Sequence, residues 1–336
     1  MKKWDVILIG SGISSLTCAA ILSKHGKSVC ILEQHSLPGG YLHCFKRFGL
    51  RFETGGHYIG AMGPNQPFRQ LLDYAGVFDE NDFEPLDKNG YDVFHFPSFS
   101  FSFPVGYSAL FESLVQLFPK EQNSISRYLE IIRNTAQLFP TYSLQDTYDQ
   151  DAVKTAMETP LSQVVESLTS NPKLQCLLYS YCTIHGVAPQ DISLGLHSLA
   201  SDSMITGPYG FKNGGAGLAN SFVKTIRANG GELLTANRVT QLVLNGNRIS
   251  KVVLESGEEL EAEWIISGIH PKATLRLLDD SAFSPAFKSR VNKLEETISF
   301  MGVYASCKEP MLLENKKNYY CFRAETPSEL FQELPH

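Results

Sequence analysis

The hydrophobic pattern of the first 33 residues predicts a strand, a helix and a second strand. Residues 6–9 form a continuous aliphatic run, which is typical of a strand buried on both faces of a parallel sheet. From Ile13 onward, apolar residues recur three and four positions apart. This predicts a helix that ends near Gly26, where glycine suits a left-handed C-cap. Residues 29–32 are a second apolar run, so we expect a βαβ unit here.

The turn between the first strand and the helix has the spacing of a dinucleotide site. Gly10 permits a tight turn, and Gly12 lets a pyrophosphate approach the backbone at the helix N-terminus. Glu33 lies 21 residues beyond Gly12, where a carboxylate accepts hydrogen bonds from the adenosine ribose. Ser15 replaces the third glycine of the fingerprint with another small residue. The pattern predicts a bound dinucleotide; the alternative is an ordinary glycine turn with a solvated Glu33.

The middle of the chain has a different pattern. Aromatic residues alternate between positions 91 and 103, which predicts antiparallel strands with a plain aromatic core. Helical periodicity follows at residues 108–117, 121–138 and 160–185. This aliphatic, charge-poor region fits a lid or a substrate-binding domain.

The last third of the chain predicts a return to a sheet. A helix over residues 218–228 follows Gly214-Gly215-Ala216-Gly217, which no buried strand precedes, so this glycine run is not a second dinucleotide fingerprint. Further strands are expected at residues 232–234, 239–244, 249–254 and 259–263, a buried strand at 264–268, another strand at 297–306 and a helix at 325–334.

Composition narrows the class of protein. The 336 residues carry 29 Lys and Arg against 35 Asp and Glu, a net charge of −6, with no dense basic run, so nucleic acid is not expected as a partner. No apolar stretch reaches the ~20 residues of a transmembrane helix. The seven cysteines include no C-x-x-C pair, which favours free thiols in a reducing compartment. We therefore expect a cytoplasmic protein, with peripheral membrane contact left open, and no metal site.

Four segments of the chain resemble a known family. Residues 5–16, 31–33, 38–40 and 54–60 look like the N-terminal flavin-binding region of the phytoene desaturase, carotenoid isomerase and retinol saturase group of oxidoreductases. The ending His57-Tyr58-Ile59-Gly60 most resembles the saturase and isomerase branch. Tyr41, at a position where desaturases usually carry arginine, favours the same branch.

The resemblance implies FAD as the cofactor and a glutathione-reductase-like architecture. It implies an α/β fold with a doubly wound Rossmann-like FAD-binding domain, formed by residues 1–85 and 205–280 with an antiparallel insertion. An α+β substrate domain would comprise residues 86–204 and 281–336. His57 is the candidate catalytic residue near the flavin. The implied cofactor-binding residues are Gly10, Ser11, Gly12, Ile13, Ser14, Ser15, Glu33, Gln34, Gly39, Gly40, Tyr41, Gly56 and Val239, the last through its backbone.

The resemblance also implies an activity, namely flavin-dependent saturation, desaturation or isomerisation of a long apolar polyene or isoprenoid. No protein partner is implied. His197 stands where saturase-like members carry a histidine, but Ser203-Met204 and Phe211-Lys212 depart from the family pattern, which leaves the substrate open. The chain corresponds to about the first two thirds of a family member, because members continue into a segment that re-enters the flavin domain.

Three alternatives remain open from the sequence. A truncated, inactive remnant would have lost one wall of the flavin site and would expose a sheet edge. An amine-oxidase-type flavoenzyme would act on an amine. NAD could also be the bound dinucleotide, although the glycine doublet and the large insertion before Gly207 favour FAD.

Overall fold

The computed structural model describes residues 3–246, 248–279, 281–306 and 317–331. The strands are β1 Lys3–Ile9, β2 Val29–Leu32, β3 Cys44–Arg47, β4 Leu50–Glu53, β5 Tyr58–Ile59, β6 Phe83–Pro85, β7 Asp92–His95, β8 Ser100–Phe103, β9 Tyr209–Phe211, β10 Glu232–Leu234, β11 Val239–Asn245, β12 Arg248–Leu254, β13 Glu259–Ser267 and β14 Asn318–Cys321. The helices are α1 Ile13–Lys24, α2 Pro67–Ala75, α3 Tyr107–Leu117, α4 Gln122–Gln137, α5 Pro140–Ser143, α6 Gln150–Glu158, α7 Leu161–Leu168, α8 Pro172–Leu178, α9 Cys182–His185, α10 Leu194–Thr206, α11 Gly215–Ala228, α12 Pro271–Arg276, α13 Pro285–Asn292 and α14 Pro327–Leu330.

The chain divides into two discontinuous units. The first unit comprises Met1–His57, Leu71–Glu84 and Phe211–Glu295, and the second comprises Tyr58–Gln70, Pro85–Gly210 and Glu296–His336.

The unit boundaries differ from the predicted domain boundaries. Residues 58–70 and 205–210 lie in the second unit, because β5 pairs with β9 and the Ala61 amide donates to the Ser203 carbonyl at 2.8 Å. Residues 281–295 lie in the first unit, where α13 packs against α12. The Leu242 amide of β11 donates to the Leu277 carbonyl just beyond α12 at 2.7 Å, which ties this region to the sheet.

A six-stranded sheet organises the first unit. Its strand order is β10–β2–β1–β13–β12–β11; the first four strands run parallel and β13–β12–β11 are antiparallel. Helix α1 packs against β2 and against α11, and Gly26 beyond its end has φ +78°. The predicted strand–helix–strand unit and its left-handed glycine are thereby confirmed.

Strand β13 corrects one prediction. Two strands were expected over residues 259–268, the second of them buried, but one strand runs over Glu259–Ser267. It pairs antiparallel with β12 near its start and parallel with β1 from Glu261 to Ser267. Trp264 is 67% exposed, whereas its neighbour Ile265 packs into the core of the first unit. The segment at residues 264–267 is therefore not a fully buried strand.

Helices and an aromatic sheet form the core of the second unit. Strands β7 and β8 pair antiparallel, as predicted, and β14 adds to β7 in parallel. Phe94, Phe101 and Phe103 join aliphatic side chains from α3, α4, α7 and α8 in one buried cluster, so these aromatics are core residues. The buried Asp92 accepts hydrogen bonds from Tyr181 at 2.9 Å and from Asn318 at 2.8 Å.

The strand expected over residues 297–306 does not form. Among the described residues, no strand pairs with this segment, and Phe300, Met301 and Val303 are exposed. An isolated extended segment lacks the ladder of hydrogen bonds that defines a strand. Of the helix expected at residues 325–334, α14 covers Pro327–Leu330, and residues 332–334 lie outside the described residues.

Two further expectations concern thiols and membranes. The six cysteines in the described part of the chain are free thiols, as predicted, and Cys307 lies outside it. Within the same residues, no helix is both long enough and apolar enough to cross a membrane.

Candidate dinucleotide site

The turn after β1 requires glycine at position 10. Gly10 has φ +85°, and a Cβ there would lie 2.8 Å from the Cγ2 atom of Ile269. Both facts disfavour any L side chain. The Gly10 amide donates to the Leu32 carbonyl at 2.8 Å, which places the turn beside the end of β2.

Gly12 leaves open space at the start of α1. It is the N-cap residue, with φ −63° and ψ 167°, and no side chain caps the helix. A Cβ at this position would have no atom within 4 Å. The first amides of a helix carry partial positive charge and favour an anion. The turn therefore forms a cradle next to a helix N-terminus, with room for a phosphate.

Glu33 is held in a fixed orientation beside this turn. Its Oε2 accepts hydrogen bonds from the Ser11 amide at 2.8 Å and from the Ser11 hydroxyl at 2.6 Å. Its Oε1 accepts from the His35 amide at 2.7 Å. Ser11 is fully buried and Glu33 is 8% exposed. Oε2 thus uses both of its lone pairs, whereas Oε1 retains one, so the group can still accept a hydrogen bond from a ribose hydroxyl.

The Gly39-Gly40 doublet lies directly on the turn. Both glycines have positive φ, +119° and +57°. The Gly39 amide donates to the carbonyl and the hydroxyl of Ser11, at 3.0 and 3.2 Å. A Cβ at Gly40 would lie 3.2 Å from the Cα of Gly12. Ser11 thus joins three parts of the site, namely the turn, the carboxylate and the doublet; the sequence analysis included Ser11 without foreseeing this role.

Ser15 fits because glycine stands opposite it. A Cβ at Gly268 would lie 1.9 Å from the Ser15 hydroxyl oxygen. The Ser15 side chain, which replaces the third glycine of the fingerprint, therefore fits because residue 268 is glycine. The Ser15 hydroxyl is buried without a hydrogen-bond partner in the described part of the chain. This replacement of the third glycine carries a cost but leaves the helix against the sheet.

The remaining predicted cofactor residues line the approaches to the turn. Ile13 and Ser14 begin α1, and Gln34 is exposed just after Glu33. Tyr41 is 84% exposed, and its carbonyl accepts from the Gly56 amide at 3.1 Å. Val239 starts β11 with its side chain in the core, and it pairs with Leu254 of β12. Their contacts with a cofactor stay predictions.

The candidate catalytic residue His57 is exposed in the first unit. Its Nδ1 lies 3.1 Å from the Gly55 carbonyl, and its own carbonyl accepts from the Phe211 amide at 3.4 Å. These contacts orient the residue without assigning it a chemical role. A catalytic role for His57 stays a prediction.

His197 lies buried on α10 of the second unit. Its Nε2 is 2.9 Å from the Tyr128 hydroxyl and 3.2 Å from that of Ser201. Burial, assisted by the nearby His185, lowers the pKa of His197 to about 3. The ring is neutral near pH 7, and its Nδ1 has no hydrogen-bond partner among the described residues.

The described residues bring no metal-ligating cluster together. Within residues 3–246, 248–279, 281–306 and 317–331, no three or more His, Cys, Asp or Glu side chains could together hold a metal ion.

Comparison with known proteins supports the same interpretation. Residues 8–75 match the family model of NAD(P)-binding Rossmann-like domains. All-trans-retinol 13,14-reductase of Rattus norvegicus is 29% identical over 96% of this chain and 57% of its own length. 1-Hydroxycarotenoid 3,4-desaturase of Flavobacterium sp. (strain P99-3) is 26% identical over 83% of this chain and 58% of its own length. The chain thus spans little more than half the length of these relatives.

A solved structure matches at the level of the fold. An oxidoreductase from Methanosarcina mazei superimposes with a TM-score of 0.66 at 19% identity, covering 86% of this chain and 65% of that one. Together with the sheet order, this confirms the predicted Rossmann-like α/β fold.

Proposed function

We propose that this chain, a relative of the retinol 13,14-reductases, carotenoid desaturases and prolycopene isomerases, binds FAD and acts as an oxidoreductase on a long apolar polyene or isoprenoid. The proposal concerns the activity of a whole protein. Its cofactor part depends on the first unit, and its substrate part depends on the relatives.

One observation carries the cofactor part, namely the Glu33 carboxylate fixed by Ser11 beside the open helix end at Gly12. An adenosine diphosphate group offers a ribose diol to the carboxylate and a pyrophosphate to the helix amides. The residues present fit this group, since no side chain fills the space next to Gly12. The Gly39-Gly40 doublet packed on Gly12 supports FAD, because it continues the cradle with a second stretch of glycine backbone.

The chain's own residues would bind and orient the cofactor. The α1 amides would hold the pyrophosphate, Glu33 would fix the ribose, and the backbone of Val239 would contact the adenine. When bound, FAD supplies hydride or electron transfer at its flavin ring. An apolar substrate needs no ion pair for binding, so the chain would have to supply apolar surface and exclude water.

The absorption spectrum of the purified chain tests the cofactor part, recorded before and after denaturation. We expect a flavin band and about one FAD per chain, as for a single dinucleotide site. If the protein is colourless and stays so after FAD is added, the proposal fails. The chain would then be an inactive remnant of the fold.

Substitution of Glu33 locates the cofactor. Glu33→Gln removes the charge that strengthens hydrogen bonds to the ribose, so FAD and ADP should both bind about 10-fold more weakly. Glu263→Gln, at an exposed acid on β13 of the same unit, should leave both affinities unchanged. Equal affinities of wild type and Glu33→Gln would contradict the assignment.

The substrate part is tested separately with the FAD-loaded chain. Chemically reduced protein is incubated anaerobically with all-trans-retinol, and oxidised protein with a carotene, and the products are separated by chromatography. We expect a changed polyene in at least one reaction. Peroxide release with putrescine and no change in any polyene would replace this substrate class with amines.

A further inference from the structure

The second unit contains a polar cleft that the proposed function does not use. Its volume is about 440 Å³, within the range of small-molecule sites. Amide side chains of Gln66, Gln70 and Gln137 contribute to its walls. Among the described residues, the charged residues that line it are Asp202 and Arg133, which have opposite signs.

One end of the cleft is a buried carboxylate. Asp202 is 4% exposed and accepts hydrogen bonds from Tyr107 at 2.5 Å and from Tyr142 at 2.7 Å. Burial, and then these bonds, raise the pKa of both phenols. Each phenol donates its single proton to Asp202, so this end of the cleft has only acceptors left for a ligand. In the described part of the chain, no Lys, Arg or His nitrogen lies within ion-pair distance of Asp202.

The wall of the cleft carries a guanidinium group. The Cζ atom of Arg133 lies 3.9 Å from the centre of the Tyr107 ring, so the side chain is held by stacking. Among the described residues Arg133 makes no ion pair, and its donors remain available for a carboxylate or a phosphate. Two residues at the cleft, Asn65 and Leu144, have positive φ of 62° and 54°. Residues other than glycine adopt this backbone conformation at a cost in free energy.

We propose that this cleft binds a small zwitterion, with its ammonium group on Asp202 and its anionic group on Arg133. An amino-acid-like molecule satisfies both ends at once. A simple amine would meet the positive charge of Arg133, and a simple acid would meet the negative charge of Asp202. The proposal is independent of the dinucleotide site, because all the residues that carry it belong to the second unit.

Calorimetric titration of the intact chain tests the proposal with defined probes. Glycine, γ-aminobutyrate and O-phosphoethanolamine carry both charges at different spacings, and ethylamine and acetate carry one each. We expect at least one zwitterion to bind about 10-fold more tightly than either singly charged probe, the loss corresponding to one charge-assisted contact.

Variants of the exposed Arg133 avoid damage to the core. Arg133→Gln should weaken zwitterion binding about 10-fold, and Arg133→Lys should weaken it less because the charge remains. Arg127→Gln, an exposed arginine on the same helix, should leave binding within about 2-fold of wild type. Asp202→Asn should also weaken binding, provided that its thermal unfolding matches that of the wild type.

Two results would overturn the proposal. One is the absence of binding by every zwitterion at concentrations up to about 10 mM, because a specific site should have a dissociation constant below that value. The other is an amine that binds as tightly as the zwitterions and is unaffected by Arg133→Gln. The cleft would then bind a cation without any contribution from the Arg133 guanidinium.

Discussion

At the residue scale, Gly12 of the turn and Gly40 of the doublet packed on it are glycine for different physical reasons. Gly12 has backbone angles that any L residue adopts, and the space beside it is open. Gly40 has φ +57° and lies against the Cα of Gly12. The fold therefore requires glycine at position 40, whereas glycine at position 12 leaves room for the proposed ligand.

Alanine substitutions separate these two reasons. Gly12→Ala should change the free energy of unfolding by no more than about 0.5 kcal/mol, since lost N-cap preference and reduced unfolded-state entropy offset each other. The same variant should bind FAD about 10-fold more weakly, because its methyl group occupies the phosphate space. Gly40→Ala should instead lose about 1–2 kcal/mol of stability. Urea unfolding and FAD titration measure both effects, and tight FAD binding by Gly12→Ala would contradict the role of the open space.

The buried His197 makes stability depend on pH. Burial lowers its folded pKa to about 3, whereas an unfolded histidine has a pKa near 6.5. Between these values only the unfolded chain takes up a proton. The stabilising effect of the neutral ring is therefore complete above about pH 6.5 and is lost as the pH falls, by up to about 1.4 kcal/mol per pH unit.

The His197→Gln variant tests this dependence. Urea unfolding between pH 6.5 and 5.5 should show a shallower loss of stability than in the wild type, while His25→Gln, an exposed position, should retain the wild-type slope. Identical slopes in all three proteins would show that His197 is protonated in the folded state.

At the scale of elements, helix α11 depends on a carboxylate from β4. The Gly215 amide donates to Oε2 of Glu53 at 3.0 Å, and the N-cap residue Gly214 offers no side-chain cap. A Cβ at Gly214 would overlap the Glu53 carboxylate. Glu53 therefore caps the helix from a distant part of the chain and places negative charge at its positive end.

Removal of this cap should destabilise the first unit. Glu53→Ala should cost about 1 kcal/mol, and Glu53→Gln should cost less because an acceptor oxygen remains. Urea unfolding measures the change, with Glu258→Ala, an exposed acid in the turn between β12 and β13, as the control. A cost of Glu53→Ala no greater than that of Glu258→Ala would show that water replaces the cap.

The elements that sequence patterns predicted are those with a conventional hydrophobic face. Strands β1 and β2, helix α1 and helices α3 and α4 fall close to their predicted bounds. Helix α10 was missed because its buried side includes His197, Ser198, Ser201 and Asp202, while Leu196 is 51% exposed. Tyrosine hydroxyls bond His197 and Asp202, and Ser201 bonds His197, whereas the Ser198 hydroxyl has no partner among the described residues. The periodicity of apolar residues reports none of these contacts.

Other errors arose from long-range pairing. The apolar run at residues 264–268 was interpreted as fully buried, but burial of a strand depends on what covers each face. The turn and the acid were predictable, because their spacing matches that of a dinucleotide fingerprint. The joining role of Ser11 was not, since it depends on contacts with residues 22 and 28 positions away.

At the scale of the whole molecule, a ligand of the dinucleotide site should stabilise the fold by mass action. FAD at 100 times its dissociation constant should raise the free energy of unfolding by about 2.7 kcal/mol. ADP should also stabilise the chain, whereas riboflavin, which lacks the adenosine diphosphate, should not at the same concentration. Thermal unfolding at a series of ligand concentrations checks this. Equal stabilisation by riboflavin and FAD would place the main contacts elsewhere than Glu33 and Gly12.

The two tryptophans of the chain lie on adjacent strands of the first unit. Trp4 on β1 is 3% exposed, and Trp264 on β13 is 67% exposed. Tryptophan emission therefore reports on the first unit alone. A collisional quencher such as iodide reaches one indole and not the other, so the emission contains its own internal reference. A shift of the unquenched component follows the sheet interior, and a change in the quenched component reports on anything that covers the outer face of β13.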